Sequence, residues 1–516
     1  MNQGFLAASL RFKRASLVVL PLLLVAVFGI SHIYDPFTGD QALYLLGAKE
    51  INKGAVLYVD YWCDKQPGNY LFFLLGGTLF GFSEMGIHIF ELLYFLLFAV
   101  VMMKILRPYF RHPWLACLAP LSTIGVYYAT VDPWLLTQLE IIVSFPILLS
   151  LWLSSITPSS RTKQVMLMIF SGALAGIAVL FKLILAPIFP IIWLVSSIIV
   201  FRKKYMNLRQ TILYRLIPAS IGVVFVLGVV SFWFWRHNAL KELFWQAFIW
   251  PFKALKENDP AALSRLFRNI IITSKIFCVW LVLSLVGIFR WRRNRNLLTP
   301  LLLGWVLTGA IIVLAQRFSW WWYHFLLFYV PVGILGLGGL DELLSMCSRY
   351  PRCARISKLV LVGGLVLLAS IPSLWLWQKH ASIWISERPF VDRIHRQAFQ
   401  FKKSDTYEKI WHDTRFLVTP DAIPGPIYVF GDPTYLYLAR RTYSARIHGW
   451  TDFTRELWDK LYSQLSLSTP PYIFVSNDYK EIIRQGSPRI KRWIEEDYEI
   501  LRDNFEGTWY RHKRTL

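Results

Sequence analysis

The run SLVVLPLLLVAVFGISHI, residues 16–33, decides the architecture: it holds no Lys, Arg, Asp or Glu. A helix needs roughly 20 such residues to cross the hydrocarbon core of a bilayer. The run is not alone. Residues 113–131, 141–160, 183–201, 216–235, 276–289, 296–316, 318–340 and 359–378 are equally free of formal charge. Over the whole chain 55% of residues are hydrophobic and 17% are charged, against about 25% charged in soluble domains. These blocks predict an all-α polytopic membrane domain.

The charges then orient it. The net charge is +23, which by itself suits a nucleic-acid partner. Its distribution does not. Six short segments between apolar blocks (11–14, 104–111, 161–163, 202–215, 290–295 and 346–358) hold 21 Lys or Arg and no acid. Basic clusters in short loops mark the cytoplasmic side, so the charge reads as an orientation signal and nucleic acid is excluded. With the N-terminus inside, about eleven spans alternate without conflict. The first (16–33) is read as a retained span because no small-residue cleavage site follows it. Residues 69–82 are apolar but short, and read as a re-entrant or interfacial helix. The five cysteines are scattered: Cys347 and Cys353 fall in an inner loop, Cys63 lies outside, and Cys117 and Cys278 sit in apolar runs. They suggest packing rather than a disulfide framework.

These readings divide the chain into a membrane domain, 1–377, with a first outer loop at 34–68, and an extracytoplasmic tail, 378–516. The tail is mixed in charge. It has two β-like runs, IYVFG (427–431) and YIFVS (472–476), and helix-like stretches near 451–466 and 479–495. It reads as a small α/β domain.

Ionisable groups at membrane depth are costly and point to function. Few occur here, and they gather at the outer face: Asp40, Asp60, Asp64 and Lys65 in the first loop, Glu140 and Lys182 near outer span ends, and His324 after RFSWWWY. Each has a plain structural reading. Asp40 suits the cap of a helix at 41–53. Asp64 and Lys65 suit a solvated turn, and Glu140 an interhelical hydrogen bond. Lys182 suits a snorkelling side chain, and His324 the interfacial aromatic belt. Glu84, His88 and Glu91 share a helix face and suit structural contacts between helices. One-sidedness favours an outward-facing active cavity. Nucleotide-binding loops, paired-histidine zinc motifs and nucleophile elbows are missing from the sequence. Chemistry outside the cell without a nucleotide draws on a donor already in the membrane.

Several stretches resemble the membrane-embedded C-type glycosyltransferases that use polyprenyl-phosphate sugars, in particular the protein O-mannosyltransferase-like and lipid A aminoarabinose transferase-like groups. They are GDQALYLLGAKEINKG, DYWCDKQPGNYLF, LLTQLEIIVSFPILLSL, GALAGIAVLFKLIL, WWWYHFLLFYVPVGILGLGGL and, in the tail, IYVFGDPTYLYLARRTYSAR. The resemblance covers nearly the whole chain and is strongest over 34–185. It implies an integral-membrane enzyme of the plasma (inner) membrane. Such an enzyme moves a sugar from a polyprenyl-phosphate donor to a lipid, glycan or protein acceptor outside. It also implies roles. Asp40 falls on the first-loop acid, although relatives carry Asp-Glu where this chain has Asp40-Gln41. Lys65 falls on the lysine that contacts the lipid phosphate, here followed by one proline instead of two. Glu140 falls on the second acid, and His324 on a histidine–aromatic element at the outer end of a late span. Lys182 is a further candidate for the donor phosphate, and Tyr44 and His324 are candidates for substrate binding. Some members hold a divalent metal near the first loop; Asp64 and His237 are its candidate ligands here. A flippase or transporter of lipid-linked glycans, or a non-catalytic binder of lipid-linked sugar, are the alternatives. The lack of internal repeats and the large tail weigh against a transporter.

Overall fold

The computed structural model describes residues 18–253, 262–294, 297–316, 320–347, 355–504 and 506–513; the basic segment 11–14 and Cys353 lie outside them. The chain forms two compact units. One comprises Met1–Ile33, His88–Val230 and Glu257–Ser386; the other comprises Tyr34–Ile87, Ser231–Lys256 and Glu387–Leu516.

Among the described residues, six helices are long and apolar enough to cross a membrane: Glu84–Tyr109, Arg161–Phe181, Leu183–Arg202, Leu208–Arg236, Leu298–Ala315 and Trp322–Cys347. A seventh crossing is a pair, Leu263–Ile276 and Cys278–Phe289, bent by 79°. Val18–Ile30 and Leu139–Ser155, both expected as crossings, are shorter apolar helices, as is Gly68–Phe80. The expected span at 113–130 is not one helix. Pro113–Leu118 is a 3-10 helix, Leu121–Gly125 a π-turn and Val126–Thr130 an α-turn. Pro113 and Pro120 lack the N–H that a continuous ladder needs, and wider turns take up the mismatch.

Lipid offers helices no hydrophobic drive to associate, so close contact depends on small residues. Helices Arg161–Phe181 and Leu208–Arg236 meet this way. A Cβ on Gly172 would lie 1.8 Å from the Ala219 carbonyl oxygen, and one on Gly222 would lie 2.0 Å from that of Ile169. Arg215 is buried nearby. Its guanidinium donates to the Ser154 carbonyl oxygen at 2.5 Å and to the Ser196 and Ser197 hydroxyls at 2.9 and 3.2 Å.

The second unit is built on a four-stranded sheet of order β1-β2-β4-β3, with β1 Tyr428–Phe430, β2 Tyr472–Ser476, β3 Tyr498–Asp503 and β4 Gly507–His512. β1 and β2 are parallel, with Val429 opposite Phe474; β4 runs antiparallel to β2 and β3. Side chains alternate across a strand. Tyr428, Phe430, Ile473 and Val475 therefore enter one core with Trp458, Leu461, Ile490 and Ile494. Val429 and Phe474 enter the other, with Ile410, Leu436 and Trp509. Both faces are covered, so β1 and β2 read as continuous apolar runs. The expected helix at 479–495 is two, Asn477–Gly486 and Pro488–Asp497. Ser487 caps the second by accepting the Ile490 N–H, and Pro488 stands at its first turn, where proline is preorganised. The first outer loop is part of these cores. Leu46 of helix Asp40–Asn52 packs in one, and Trp62 packs in the other beside Trp250 of a later segment.

Candidate functional site

Asp40 opens the helix Asp40–Asn52 but does not cap it. The cap residue is Gly39, and no side chain makes a cap hydrogen bond. The capping explanation for Asp40 therefore fails. Its carboxylate instead accepts a hydrogen bond from Trp450 Nε1 at 3.1 Å. Directly behind it, Asp432 Oδ1 accepts the Gly39 N–H at 3.2 Å and the Thr434 N–H at 2.8 Å. Burial pushes the Asp432 carboxyl above the ordinary range. Gln41, which stands in place of a second acid, is buried and accepts the Thr38 N–H at 3.2 Å. Tyr44, one turn on, is buried between Tyr70 and Phe73, with ring centroids 5.3 and 5.6 Å away.

The loop that carries Lys65 is pinned from three sides. Gln246 acts as a clamp: its Oε1 accepts the Cys63 N–H at 2.9 Å, and its Nε2 donates to the Tyr58 carbonyl at 2.7 Å. The Trp62 N–H reaches the Arg446 carbonyl at 3.0 Å. Gln66 Nε2 donates to the Ala247 carbonyl at 3.2 Å. On this frame Lys65 Nζ lies 3.2 Å from Asp64 Oδ2, with the two side chains 40% and 22% exposed. A pair this open is worth little, so an incoming anion can replace Asp64. His237 is exposed; its Nδ1 donates to the Trp233 carbonyl and its ring lies against the Trp233 indole, centroids 4.2 Å apart. Among the described residues no three His, Cys, Asp or Glu side chains group as a metal site requires.

His448 packs under the same loop, against Tyr61 and Trp62 at 6.0 and 5.4 Å. It is fully buried, and neither ring nitrogen has a hydrogen-bond partner among the described residues. Burial pushes it down to about 4. The unfolded imidazole binds a proton below about 6.5, while the folded one stays neutral. The sign follows: its share of stability is complete above about 6.5 and is lost as pH falls toward 4. The loss amounts to about 3 kcal/mol, at 1.36 kcal/mol per unit. The melting temperature of the purified protein should therefore fall over this window, and His448→Gln should flatten the fall. Equal slopes in the two proteins would contradict this.

Three expected site residues belong to the other unit. Glu140 and Lys182 form an ion pair at 2.6 Å, with side chains 3% and 20% exposed. Lys182 sits at an extended break, φ −157°, where helix Arg161–Phe181 ends. At this break its side chain pairs with Glu140. Its ammonium also lies 5.6 Å from the Tyr323 ring centroid. His324, next in the chain, is buried in the 3-10 helix Trp322–Phe328. The helix face of Glu84, His88 and Glu91 proves structural. Glu84 accepts the hydroxyls of Tyr407 and Tyr437, His88 Nδ1 meets the Ile33 carbonyl, and Glu91 accepts the Tyr127 hydroxyl.

Two cavities of the second unit bear on function. A basic one of about 910 Å³ is lined by seven Lys or Arg, including Lys49, Arg396 and Arg440, and three acids. Burial lowers the Lys49 ammonium. A second, of about 610 Å³, includes Asp432 and Trp450 in its wall. Trp450, Gln246 and His448 escape a sequence reading because nothing in their local text marks them; Asp432 lies in the tail stretch IYVFGDPTYLYLARRTYSAR, but that text assigns it no role.

No family model matches the chain, and no curated protein matches it. Solved structures do. ArnT from Cupriavidus metallidurans bound to undecaprenyl phosphate is similar at 13% identity and a TM-score of 0.55, over 96% of this chain and 97% of that one. ArnT from the same organism in the apo state is similar at 14% identity and 0.59, over 97% and 98%. The likeness runs end to end, so the membrane helices and the tail together form an ArnT-like fold.

Proposed function

We propose that the protein is an inner-membrane glycosyltransferase, which moves a sugar from a polyprenyl-phosphate donor to an acceptor hydroxyl outside the cytoplasm. The observation that carries this reading is Asp40. It is a carboxylate at a helix N-terminus, free of capping duty and held by an indole N–H. It stands in the same compact unit as an exchangeable cation, Lys65. The ArnT structure with undecaprenyl phosphate bound supports a lipid-phosphate donor for the shared fold, and the acid-free basic loops support a tail that lies outside.

The step balances without a cofactor. Asp40 takes the acceptor proton as a general base. The acceptor oxygen bonds to the anomeric carbon, and the bond from that carbon to the phosphate oxygen breaks. The phosphate keeps the electron pair, and Lys65 compensates its added charge. Glu140 is the weaker candidate for base because its charge is already matched by Lys182; we assign that pair a positioning role.

The test is turnover by the purified protein in lipid nanodiscs, given a polyprenyl-phosphate hexose with a labelled sugar and a cell-envelope extract as acceptor. Label should move to a product that no longer carries polyprenyl phosphate, and Lys65→Ala should weaken donor binding. Donor that binds but never transfers would favour the non-catalytic binder, which Gln41 in place of a second acid keeps in view. Label that only crosses the bilayer of sealed vesicles would favour the flippase.

A further inference from the structure

The 610 Å³ cavity lies where two parallel strands end. Gly431 and Asp432 follow β1; Ser476 closes β2 and Asn477 follows it. The carboxyl ends of parallel strands are where open α/β sheets bind ligands. Gly431 adopts φ +148°, and a Cβ there would lie 3.1 Å from that of Ser476, so glycine keeps the floor open. The volume suits a small ligand.

Its lining defines the chemistry. Asp432, Asp478, Asp503 and Glu506 outnumber their cations: Lys480 lines the crevice 3.5 Å from Asp503, and Lys409 pairs with Glu506 at 3.1 Å. Trp450 and Tyr479 supply aromatic surface. A second observation is independent of the acids. Tyr435 is 3% exposed, its ring stacks on Phe474 at 4.0 Å, and its hydroxyl has no partner among the described residues. The side chain lines the cavity, and its hydroxyl lies in the field of Asp413, Glu506 and Asp432. A buried hydroxyl without a partner is costly, so this one is built to be completed by something that enters. Carboxylates and amides that accept and donate hydrogen bonds, beside flat aromatic rings, suit the polar edge and apolar face of a sugar. Excess negative charge repels phosphorylated or carboxylated ligands. The larger basic cavity would take an anion; Asp40 lines neither cavity, and Trp450, which holds it, lines only the acidic one of the two.

We propose that this crevice binds the acceptor, and that the acceptor is an uncharged or amine-bearing saccharide. Trp450 is the link: it lines the crevice and holds the Asp40 carboxylate, so a sugar seated there presents a hydroxyl to the base. The inference rests on the proposed transferase reading for its purpose, but not for its test.

The test is saturation-transfer NMR of maltose and glucose 1-phosphate on the full-length protein in nanodiscs. Maltose should bind the wild type and Asp40→Asn alike. Tyr435→Phe, which removes only the unpartnered hydroxyl, should weaken binding about 3- to 10-fold, the worth of one hydrogen bond, and should melt no lower than the wild type. Asp478→Asn should also weaken it, which covers a Tyr435 variant that fails to fold. Maltose binding that ignores both substitutions would overturn the proposal, as would tighter binding of glucose 1-phosphate. If maltose binds as expected and no sugar is ever transferred, the transferase reading falls and the crevice stands. If transfer occurs and the crevice binds nothing, this inference falls alone.

Discussion

Asp40→Asn should lower sugar transfer by roughly 100-fold or more, the usual scale of general-base catalysis, with the melting temperature unchanged. The fold has no reason to suffer. Asp40 caps nothing, and the amide oxygen of Asn can still accept the Trp450 indole N–H that the carboxylate accepts at 3.1 Å. What changes is basicity: a side-chain amide does not take up a proton near neutral pH. Gln41→Glu is the companion variant. The Gln41 amide oxygen already holds the Thr38 N–H, and a second buried carboxylate beside Asp40 would repel it. No gain in rate is expected. Near-wild-type transfer by a well-folded Asp40→Asn protein would remove Asp40 from the chemistry and return Glu140 to first place.

The reading of Asp40 was available in the sequence; the reason it is poised was not. The acid and the helix behind it stand out because they interrupt an apolar chain. Its partners lie 410 residues away at Trp450 and, through Gly39, 393 residues away at Asp432. No periodicity connects positions that distant. Gln246 is 183 residues from Cys63 and is hidden for the same reason. The sheet shows a similar divide. β1 and β2 announce themselves because they are buried on both faces. β3, YEILRD, is an edge strand with Ile500 and Leu501 exposed and a bulge between Ile500 and Arg502. Its charges and broken alternation hide it, and with it the hairpin to β4. The split at Ser487-Pro488 was legible, since Ser before Pro is a helix-start signal, but the flanking helical text outweighed it.

Lys182→Met should be the most damaging single change in the membrane unit, and Glu140→Gln should repair it. Glu140 is 3% exposed and pairs with Lys182 at 2.6 Å. Removing one member of a buried pair strands the other charge, at a cost of about 3–5 kcal/mol. A paired loss of both charges leaves nothing stranded and is often close to neutral. The single variant should therefore melt well below the wild type in detergent, and the double variant Glu140→Gln/Lys182→Met should recover most of the difference. Activity then separates two roles. If the pair only positions helix ends, the double variant transfers sugar at a rate close to wild type. If Lys182 instead meets the donor phosphate, the double variant is stable but its donor KM rises, because methionine offers that phosphate no charge. A single Lys182→Met variant as stable as the wild type would contradict the buried-pair energetics, and would mean that water or another group compensates Glu140.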